Sequence, residues 1–340
     1  MVRVGIVGFG FMGKMHYRCY NALQGSEVVA VCDAVEKNLN EVKGESGNIG
    51  GAEADIDLTG KALYTDFDHM ISKEKLDAVS IALPTYLHAE FTVKALEAGL
   101  HVLCEKPMAL DVEQCQRMID ASEKSGKLLQ VGHCLRFWPE YLKSKEIIDS
   151  GNYGKVKAAT MQRLSMTPIW SWDNWMMQAE KSGGALMDLH IHDSDFVQYA
   201  FGMPRAVFSR CASGPSGYHD HIVTQYIYDD NRVITAEGGW IVTPSFGFEM
   251  SFNIILEEAT IVYDCTREPS FKLCLLEGRP EIPEIEAGDG YSREIEHFVR
   301  KVSGEDVGEV ITPEQSLDSV RLVLAERESA GQKKEIEIQS

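Results

Sequence analysis

The first third of the chain alternates short apolar runs with helical patterns. Six runs have the length and composition of buried strands, namely residues 3–8, 27–33, 62–65, 77–84, 101–105 and 127–133. Residues 86–100 and 111–126 instead place apolar side chains every three to four positions and close on Gly99 and Gly126, as glycine-capped helices do. Strands that alternate with helices predict a doubly wound parallel sheet over residues 1–134.

Beyond Arg136 the pattern changes to an alternation of apolar and polar positions. Five runs follow it, namely residues 155–165, 221–230, 232–242, 249–264 and 271–278. A period of two predicts an open, mainly antiparallel sheet with one buried face. A helical pattern over 183–200 interrupts these runs, and another begins at Pro313 after Thr312 as its N-cap. We expect a second α/β domain over residues 135–340, whose last helix could pack back on the first domain.

Length and charge narrow the classes of function. A chain of 340 residues exceeds the usual size of a single core, in agreement with two domains. The formal net charge of -19, without a basic cluster, disfavours nucleic acid and acidic membrane surfaces as partners. The first residues enter a strand without a signal-peptide pattern, and no apolar run has the length of a membrane span. We therefore expect a cytoplasmic protein that binds a small molecule.

The cysteines support a reducing compartment. They are scattered, without a CxxC pair or metal-like spacing, at Cys19, Cys32, Cys104, Cys115, Cys134, Cys211, Cys265 and Cys274. We interpret them as reduced thiols that serve mainly as small buried hydrophobic side chains.

A GxGxxG pattern, formed by Gly8, Gly10 and Gly13, directly follows the first predicted strand and opens a helix. The first glycine permits a tight turn, the second lets a pyrophosphate approach the backbone, and the third lets helix and strand pack closely. The amide groups at the helix start, at Phe11 and Met12, would face the phosphates. A bland glycine-rich turn is the alternative, but the context favours a dinucleotide site.

Asp33 ends the second predicted strand, twenty residues after Gly13. An acid at this position can bind the ribose hydroxyls of NAD, whereas it would repel the 2′-phosphate of NADP, and no arginine follows it in DAVEKN. The sequence therefore favours NAD over NADP. The alternative role of Asp33 is that of a helix-capping acid.

Glu105, Lys106 and Pro107 follow a predicted strand at its carboxyl end, the edge at which open parallel sheets bind ligands. From this edge the Lys106 ammonium group could bond a substrate hydroxyl and stabilise its alkoxide. Taken alone, a Lys-Pro turn is more often a solvated loop.

The stretch GGALMDLHIHDSDF, residues 183–196, sets acids and imidazoles in an apolar helix. At 100° per residue one stripe carries Asp188, His192, Asp195 and Tyr199. The apolar face beside it consists of Leu186, Leu189, Phe196, Val197 and Ala200. Asp188 can orient His192 and stabilise its protonated form, and imidazole transfers protons near neutral pH. A catalytic pair, half of a metal site and a structural pair are all open readings of this geometry.

Three tryptophans, Trp170, Trp172 and Trp175, lie just before this stretch. Indole faces suit the apolar side of a sugar ring. The alternative is that they pack in a core or in a subunit interface.

Together these motifs resemble the glucose-fructose oxidoreductase, inositol dehydrogenase and rhizopine-catabolism family (Gfo/Idh/MocA). The glycine loop, Asp33, the EKP motif at 105–107 and the stretch from residue 183 carry the resemblance, as does PTYLHAEFTVKALEAGLHVLCEKPMAL at 84–110. Their order and spacing cover nearly the whole chain. The resemblance implies an N-terminal Rossmann domain and a C-terminal α/β domain whose open sheet often serves in oligomer contacts, so we expect a homodimer or homotetramer.

The resemblance also implies functional residues. The catalytic lysine is Lys106, commonly followed by a cis-proline, and Asp188 and His192 match the family's Asp and His, with His192 as acid/base. The expected cofactor contacts are Gly8, Gly10, Phe11, Met12, Gly13, Asp33, Pro84, Thr85, His88, Glu105 and Lys106. The expected substrate contacts are Lys106, His133, Arg136, Trp172, Asp188 and His192. No metal is expected.

Some positions depart from the family pattern. His190 stands where relatives often carry a small or apolar residue, and it is either a substrate contact or a histidine on the helix surface. His133 and Trp138 are atypical of the segment after the last strand of the first domain. Arg136 is the retained basic position there, and it binds either substrate or structural carboxylates.

The joint hypothesis is an NAD-dependent oxidoreductase that transfers a hydride between nicotinamide and a secondary alcohol or ketone of a sugar, sugar derivative or cyclitol. His192 would move the hydroxyl proton, and Lys106 would stabilise the oxyanion. One alternative is a non-catalytic, NAD-binding regulatory protein. Another is a metal-dependent enzyme that uses Asp188, His190 and His192.

Overall fold

The computed structural model describes residues 1–40 and 56–338. Its packing divides the chain into two units, which are described separately. The first comprises Met1–Cys134 and Asp289–Leu317, and the second comprises Leu135–Gly288 and Asp318–Ser340. Residues 289–317, which the sequence pattern placed in the second domain, thus group with the first unit.

In the described part of the first unit, six parallel strands form a sheet in the order β3-β2-β1-β4-β5-β6. They are β1 (Val2–Val7), β2 (Ser26–Cys32), β3 (Ala62–Tyr64), β4 (Ala78–Ile81), β5 (His101–Glu105) and β6 (Leu129–Gly132). The strand order reverses direction between β1 and β4, as in other doubly wound sheets. This topology confirms the predicted Rossmann architecture.

Helices cover the sheet of the first unit and the buried face of the second. In chain order they are α1 (Phe11–Ala22), α2 (Glu36–Asn40), α3 (Phe67–Lys73), α4 (His88–Glu97), α5 (Val112–Ser125), α6 (Pro139–Ser150), α7 (Ala179–Ser182), α8 (Ile191–Phe201), α9 (Gly290–Val302) and α10 (Pro313–Gln332). Two predicted caps are present: Gly126 ends α5 at φ +66°, and the Thr312 hydroxyl accepts the Gln315 amide at the start of α10.

The sequence pattern did not predict α9, and this helix explains why residues 289–317 group with the first unit. Its apolar face, with Ile295 and Phe298, packs into the same core as Val4 and Ile6 of β1 and Tyr20 of α1. Burial of large apolar side chains is the main force that holds such an element in place. A segment distant in sequence therefore completes the first core.

In the second unit the described strands form one mixed sheet in the order β13-β12-β11-β7-β10-β9-β8-β14. They are β7 (Val156–Met166), β8 (Ala206–Ala212), β9 (His221–Ile227), β10 (Val233–Val242), β11 (Phe248–Leu256), β12 (Ala259–Asp264), β13 (Phe271–Leu275) and β14 (Ile336–Glu337). Only β7 and β10 pair in parallel, so the predicted mainly antiparallel sheet is confirmed.

One predicted run of this sheet was wrong in detail. Residues 249–264 form two strands, β11 and β12, joined by a turn at Glu257 and Glu258. This turn contains no glycine, proline or asparagine, so the sequence carried no turn signal. The inward face packs on helices, as where Phe252 of β11 stacks on Phe196 of α8.

Candidate functional site

The glycine loop joins the end of β1 to the start of α1. Gly8 has a φ of +88°, which side chains other than glycine rarely adopt, and a Cβ on Gly13 would lie 1.9 Å from the Gly8 carbonyl oxygen. A Cβ on Gly10 would meet open space. No side chain caps α1, and its first turn holds no acidic residue. The loop therefore fits an anion such as a pyrophosphate at the helix start.

Asp33, just after β2, is tied to this loop. Its Oδ2 accepts the Phe9 amide at 2.7 Å and the Asn38 side-chain amide at 3.1 Å, and its Oδ1 accepts the Val35 amide at 2.8 Å. A carboxylate offers about four acceptor sites, so room remains for a hydroxyl donor. Asp33 thus shapes the loop in addition to the ribose role predicted for it.

The ends of β4 and β5 are joined through His88, which we had predicted to contact the cofactor. Its Nδ1 lies 2.8 Å from the Pro107 carbonyl oxygen, and its Nε2 lies 2.8 Å from the Leu83 carbonyl oxygen. Burial lowers the pKa of His88 and outweighs these carbonyls, so the neutral ring donates to one of them. The buried ring thus holds two loops together, with a backbone carbonyl oxygen at each of its nitrogens. Pro84 and Thr85 begin the turn above it.

Lys106 leaves the sheet at the end of β5. Among residues 102–109 it is the one whose side chain is partly exposed, whereas its neighbours are buried. The Lys106–Pro107 peptide bond is cis, as the resemblance implies. The Lys106 amide donates to Glu105 Oε2 at 3.2 Å, and Glu105 Oε1 lies 2.8 Å from His16 Nε2. The His16 Nδ1 in turn lies 2.6 Å from the Ser80 hydroxyl.

Burial alone would raise the pKa of Glu105, but the hydrogen bond from His16 and the charges of His16 and Lys106 lower it below its usual range. Glu105 is therefore an ionised carboxylate that fixes the backbone at Lys106. Sequence reasoning missed this support. The signal was present for His16, because Gly13, His16, Tyr17 and Tyr20 recur at helical spacing and form the buried face of α1.

A second missed residue, Glu294 of α9, is buried beside this pair. His16, Glu105 and Glu294 place one ligand atom each within 4.8 Å of the others. Burial, and then the charges of Glu105 and Asp289, raise the pKa of Glu294 well above its usual range. The sequence holds no local signal for this contact, because α9 lies almost two hundred residues beyond β5.

In the second unit, the segment Leu186–His190 is a π-helical turn that leads into α8. Between residues 182 and 197 only Asp188 and His192 are partly exposed, and all other side chains are buried. Asp195, which the prediction placed on the same stripe, is buried, because its carboxylate accepts hydrogen bonds from the Arg136 guanidinium and the Ser319 hydroxyl. The predicted apolar face is buried throughout.

His190 is neither a surface residue nor exposed to a substrate. It is fully buried, its Nε2 lies 3.0 Å from Glu326 Oε2 of α10, and a Cβ on Gly238 would lie 2.7 Å from its Nδ1. The metal alternative based on Asp188, His190 and His192 therefore loses one ligand to the core. Within residues 1–40 and 56–338, the group with metal-like geometry is the one around His16.

Arg136 and His133, both predicted substrate contacts, are also buried. The Arg136 guanidinium forms a bidentate ion pair with Asp195, with Nε 2.9 Å from Oδ2 and Nη2 2.8 Å from Oδ1. It also stacks over the Tyr199 ring. Of the two roles left open for Arg136, the structure places it against a structural carboxylate.

Two of the three tryptophans, Trp170 and Trp172, lie on the surface of the second unit, and Trp175 is partly buried. Trp172 is 53% exposed at the start of a 3-10 segment, and Trp170 is 37% exposed. These exposures exclude packing in the core for both side chains. They leave a sugar ring or a subunit interface as the role of the indoles.

The predicted residues therefore form two groups. The glycine loop, Asp33 and Lys106 follow the carboxyl ends of β1, β2 and β5 in the first unit, whereas Asp188, His192 and Trp172 lie in the second. In the described ranges, no helix has the length and apolar content needed to cross a membrane.

A doubly wound sheet with a glycine loop that fits a pyrophosphate and an acid after β2 defines a dinucleotide-binding protein. Family comparison agrees. Residues 2–133 match the oxidoreductase family with an NAD-binding Rossmann fold, and residues 141–262 match the GFO/IDH/MocA C-terminal domain. The chain belongs to the Gfo/Idh/MocA family.

Similar proteins differ in their named reactions. The chain is 34% identical over 248 residues to 2,7-anhydro-N-acetylneuraminate hydratase of Mediterraneibacter gnavus, covering 70% of this chain and 61% of that protein. It is 37% identical over 203 residues to inositol 2-dehydrogenase of Salmonella typhimurium, covering 58% of this chain and 54% of that protein. Thus the chain matches little more than half the length of these relatives.

Solved structures share the complete fold. Levoglucosan dehydrogenase, in complex with NADH and levoglucosan, superposes with a TM-score of 0.82 at 22% identity and covers 100% of both chains. At this identity the likeness concerns the fold, and substrate chemistry must be argued from the residues.

Proposed function

We propose that this protein is an NAD-dependent oxidoreductase that acts on a secondary alcohol or ketone of a sugar, sugar derivative or cyclitol. One observation carries the proposal: in two buried stretches, the side chains that reach the surface are Lys106 in one, and Asp188 and His192 in the other. Every neighbour of these side chains is buried, so solvation alone does not explain why an ammonium, a carboxylate and an imidazole stand at these positions. Binding of a reacting ligand supplies a reason.

The residues divide the chemistry between them. The glycine loop and Asp33 would hold the cofactor, and the bound nicotinamide supplies the hydride acceptor or donor. His192 would take the substrate hydroxyl proton during oxidation and return it during reduction, with Asp188 orienting the ring. The Lys106 ammonium would stabilise the developing oxyanion. This scheme requires Lys106 and His192 to meet at one substrate, which a crystal structure with NAD and a polyol would test.

Kinetics of single variants test the assigned roles. We expect Lys106→Ala and His192→Ala each to lower turnover by about 10²-fold or more, with NADH binding retained. His69→Ala is a matched control, because His69 is an exposed histidine outside the proposed site. The substrates are a panel of sugars and cyclitols. Near-normal turnover in either variant would contradict its assignment.

A hydratase among the relatives supports a second candidate reaction. Oxidation of a carbinol acidifies the adjacent C–H bond, so water can leave or add beside the ketone before the hydride returns to the same carbon. Such a reaction consumes no net NAD. The assay should therefore follow loss of the sugar by chromatography as well as NADH absorbance, since turnover without NADH accumulation would identify this case.

NAD is the proposed cofactor rather than NADP. The support is Asp33, whose carboxylate already accepts three amide donors at the end of β2 and would lie against a 2′-phosphate. We expect NADH to bind at least tenfold more tightly than NADPH in fluorescence titrations. Tighter binding of NADPH would refute this assignment.

Self-association through the open sheet face is a further part of the proposal. Val233 of β10 and Ile255 of β11 are about half exposed, and both pair with Ala158 of β7, so they form an apolar row on this face. A second copy would bury it. We expect light scattering to show a dimer or tetramer, and Ile255→Lys to shift it toward monomer. Monomeric wild type at micromolar concentration would reject this interface.

A further inference from the structure

A buried group of three titratable side chains lies beneath the Lys106 segment in the first unit. His16 comes from α1, Glu105 from the end of β5, and Glu294 from α9. One ring nitrogen of His16 and one carboxylate oxygen of each glutamate all lie within 4.8 Å of one another. His16 and Glu105 are hydrogen-bonded at 2.8 Å. In the described chain, by contrast, neither carboxylate oxygen of the fully buried Glu294 has a hydrogen-bond partner.

The charges that face Glu294 are mostly negative or absent. Glu105 faces it from β5, and Asp289 lies at the start of its own helix. From α1 come His16, Cys19 and Tyr20, and burial raises the pKa of the Cys19 thiol to about 12 and that of Tyr20 well above its usual range. Both groups are therefore neutral. With Glu105 and Glu294 both ionised, two like charges would share a buried site, which proteins avoid by retaining a proton or binding a cation.

The hydrogen bonds decide which carboxyl group keeps the proton. Glu105 receives two donors, the His16 ring and the Lys106 amide, and donors of this kind stabilise a carboxylate. Glu294 receives none. We propose that Glu294 is held as the neutral acid, and that its proton keeps Glu105 available as the carboxylate that fixes His16 and the Lys106 backbone.

Glu294 is thus a positioning residue for the segment that carries Lys106. The significance of that segment rests on the proposed function, whereas the proton site does not. The tests below use stability and spectroscopy alone. A protein without dehydrogenase activity would therefore still confirm or refute the neutral acid.

Infrared spectroscopy tests the protonation state directly. We expect wild type near pH 7 to show the carbonyl stretch of a buried carboxylic acid, shifted by hydrogen-deuterium exchange and lost in Glu294→Gln. Glutamine has nearly the shape of the neutral acid, so this variant should fold. Glu296→Gln is the control, because Glu296 is exposed on the same helix. Absence of the band from the wild-type spectrum would overturn the proposal even if the variant failed to fold.

The pH dependence of unfolding provides a second test. A carboxyl group that is protonated when folded and ionised when unfolded binds more protons in the native state, so stability falls as pH rises above the ordinary glutamate value of about 4.3. The ratio of the wild-type unfolding constant to that of Glu294→Gln should rise by up to tenfold per pH unit until Glu294 ionises. Urea unfolding from pH 5 to 8 measures this ratio, with Glu296→Gln showing no such trend.

Two results would reject the neutral acid. Parallel pH profiles for wild type and Glu294→Gln would mean that Glu294 is ionised in the folded protein. The other is cation binding: if Zn²⁺ or Mn²⁺ raises the urea midpoint of wild type but not of Glu294→Gln, a cation rather than a proton balances the two carboxylates. An unchanged midpoint with either metal supports the proton site.

Discussion

The buried pair between Arg136 and Asp195 makes the sharpest prediction. Both side chains are about 1% exposed, and two hydrogen bonds of 2.9 and 2.8 Å join them. Arg136→Met keeps most of the apolar stem and removes the guanidinium. Asp195 then keeps the Ser319 hydroxyl at 2.7 Å but loses the charge that balances its own. Breaking a buried pair in this way leaves an uncompensated charge, and we expect a loss of about 3–5 kcal/mol.

Thermal unfolding measures this loss. For a unit of this size each kcal/mol corresponds to about 2–4 °C, so the midpoint of the second unit should fall by roughly 6–20 °C. Arg205→Met is the matched control, because Arg205 is 41% exposed and pairs with Glu335 at the surface, where an ion pair contributes about 1 kcal/mol or less. Adding Asp195→Asn to Arg136→Met should recover part of the loss, since it removes the buried negative charge that the Arg136 guanidinium balances.

The result that refutes this reasoning is also the one that revives the alternative role of Arg136. If Arg136→Met unfolds within about 1 kcal/mol of wild type, the pair does not hold the second unit together. If it also raises KM for the sugar without changing kcat, the guanidinium binds substrate.

Two further predictions concern the first unit. In Gly13→Ala the Cβ would lie 1.9 Å from the Gly8 carbonyl oxygen, so this variant should lose roughly 1–3 kcal/mol of stability and bind NADH more weakly. Gly10→Ala should bind NADH more weakly without a change in the unfolding midpoint, because its Cβ meets only open space. Unchanged NADH titrations for Gly10→Ala would contradict the placement of the pyrophosphate at this loop. The His101 Nδ1 accepts the Leu128 amide at 3.0 Å, and burial, then the Lys127 charge, lower the pKa of His101. The stability this adds above about pH 6.5 should fade as pH falls through the lower native value. His101→Gln should lose less stability than wild type between pH 7 and 5, and an equal fall of the urea midpoint in both proteins over this range would contradict the assignment.

Local sequence was sufficient wherever chemistry depends on adjacent residues. The glycine loop, the six strands of the first sheet and the cap at Gly126 all follow from turn chemistry and apolar spacing within a few positions. The partial exposure of Asp188 and His192 among buried neighbours is also a local pattern, since both lie on one short helical segment. These are the parts of the fold and site that the sequence predicted.

Partners from distant segments could not be predicted in this way. His190 is buried because Glu326, more than a hundred residues later, lies on the helix packed against it. The same holds for Glu294 beneath Glu105. In each case a polar residue on an apolar face gave no indication of which element would meet it. The π turn also escaped prediction, because regular helical spacing assumes 100° per residue.

The π turn at Leu186–His190 also determines what the deletion of a single residue there would do. A π turn amounts to one residue inserted in an α-helix. Loss of a single codon at Leu186 or Met187 would convert it to ordinary helix while leaving DLHIH intact. The glycine pair and the tryptophan segment would then rotate by about 100° about the helix axis relative to Asp188 and His192. One small deletion could therefore reshape the surroundings of the proposed ligand site while the residues proposed for proton transfer stay the same.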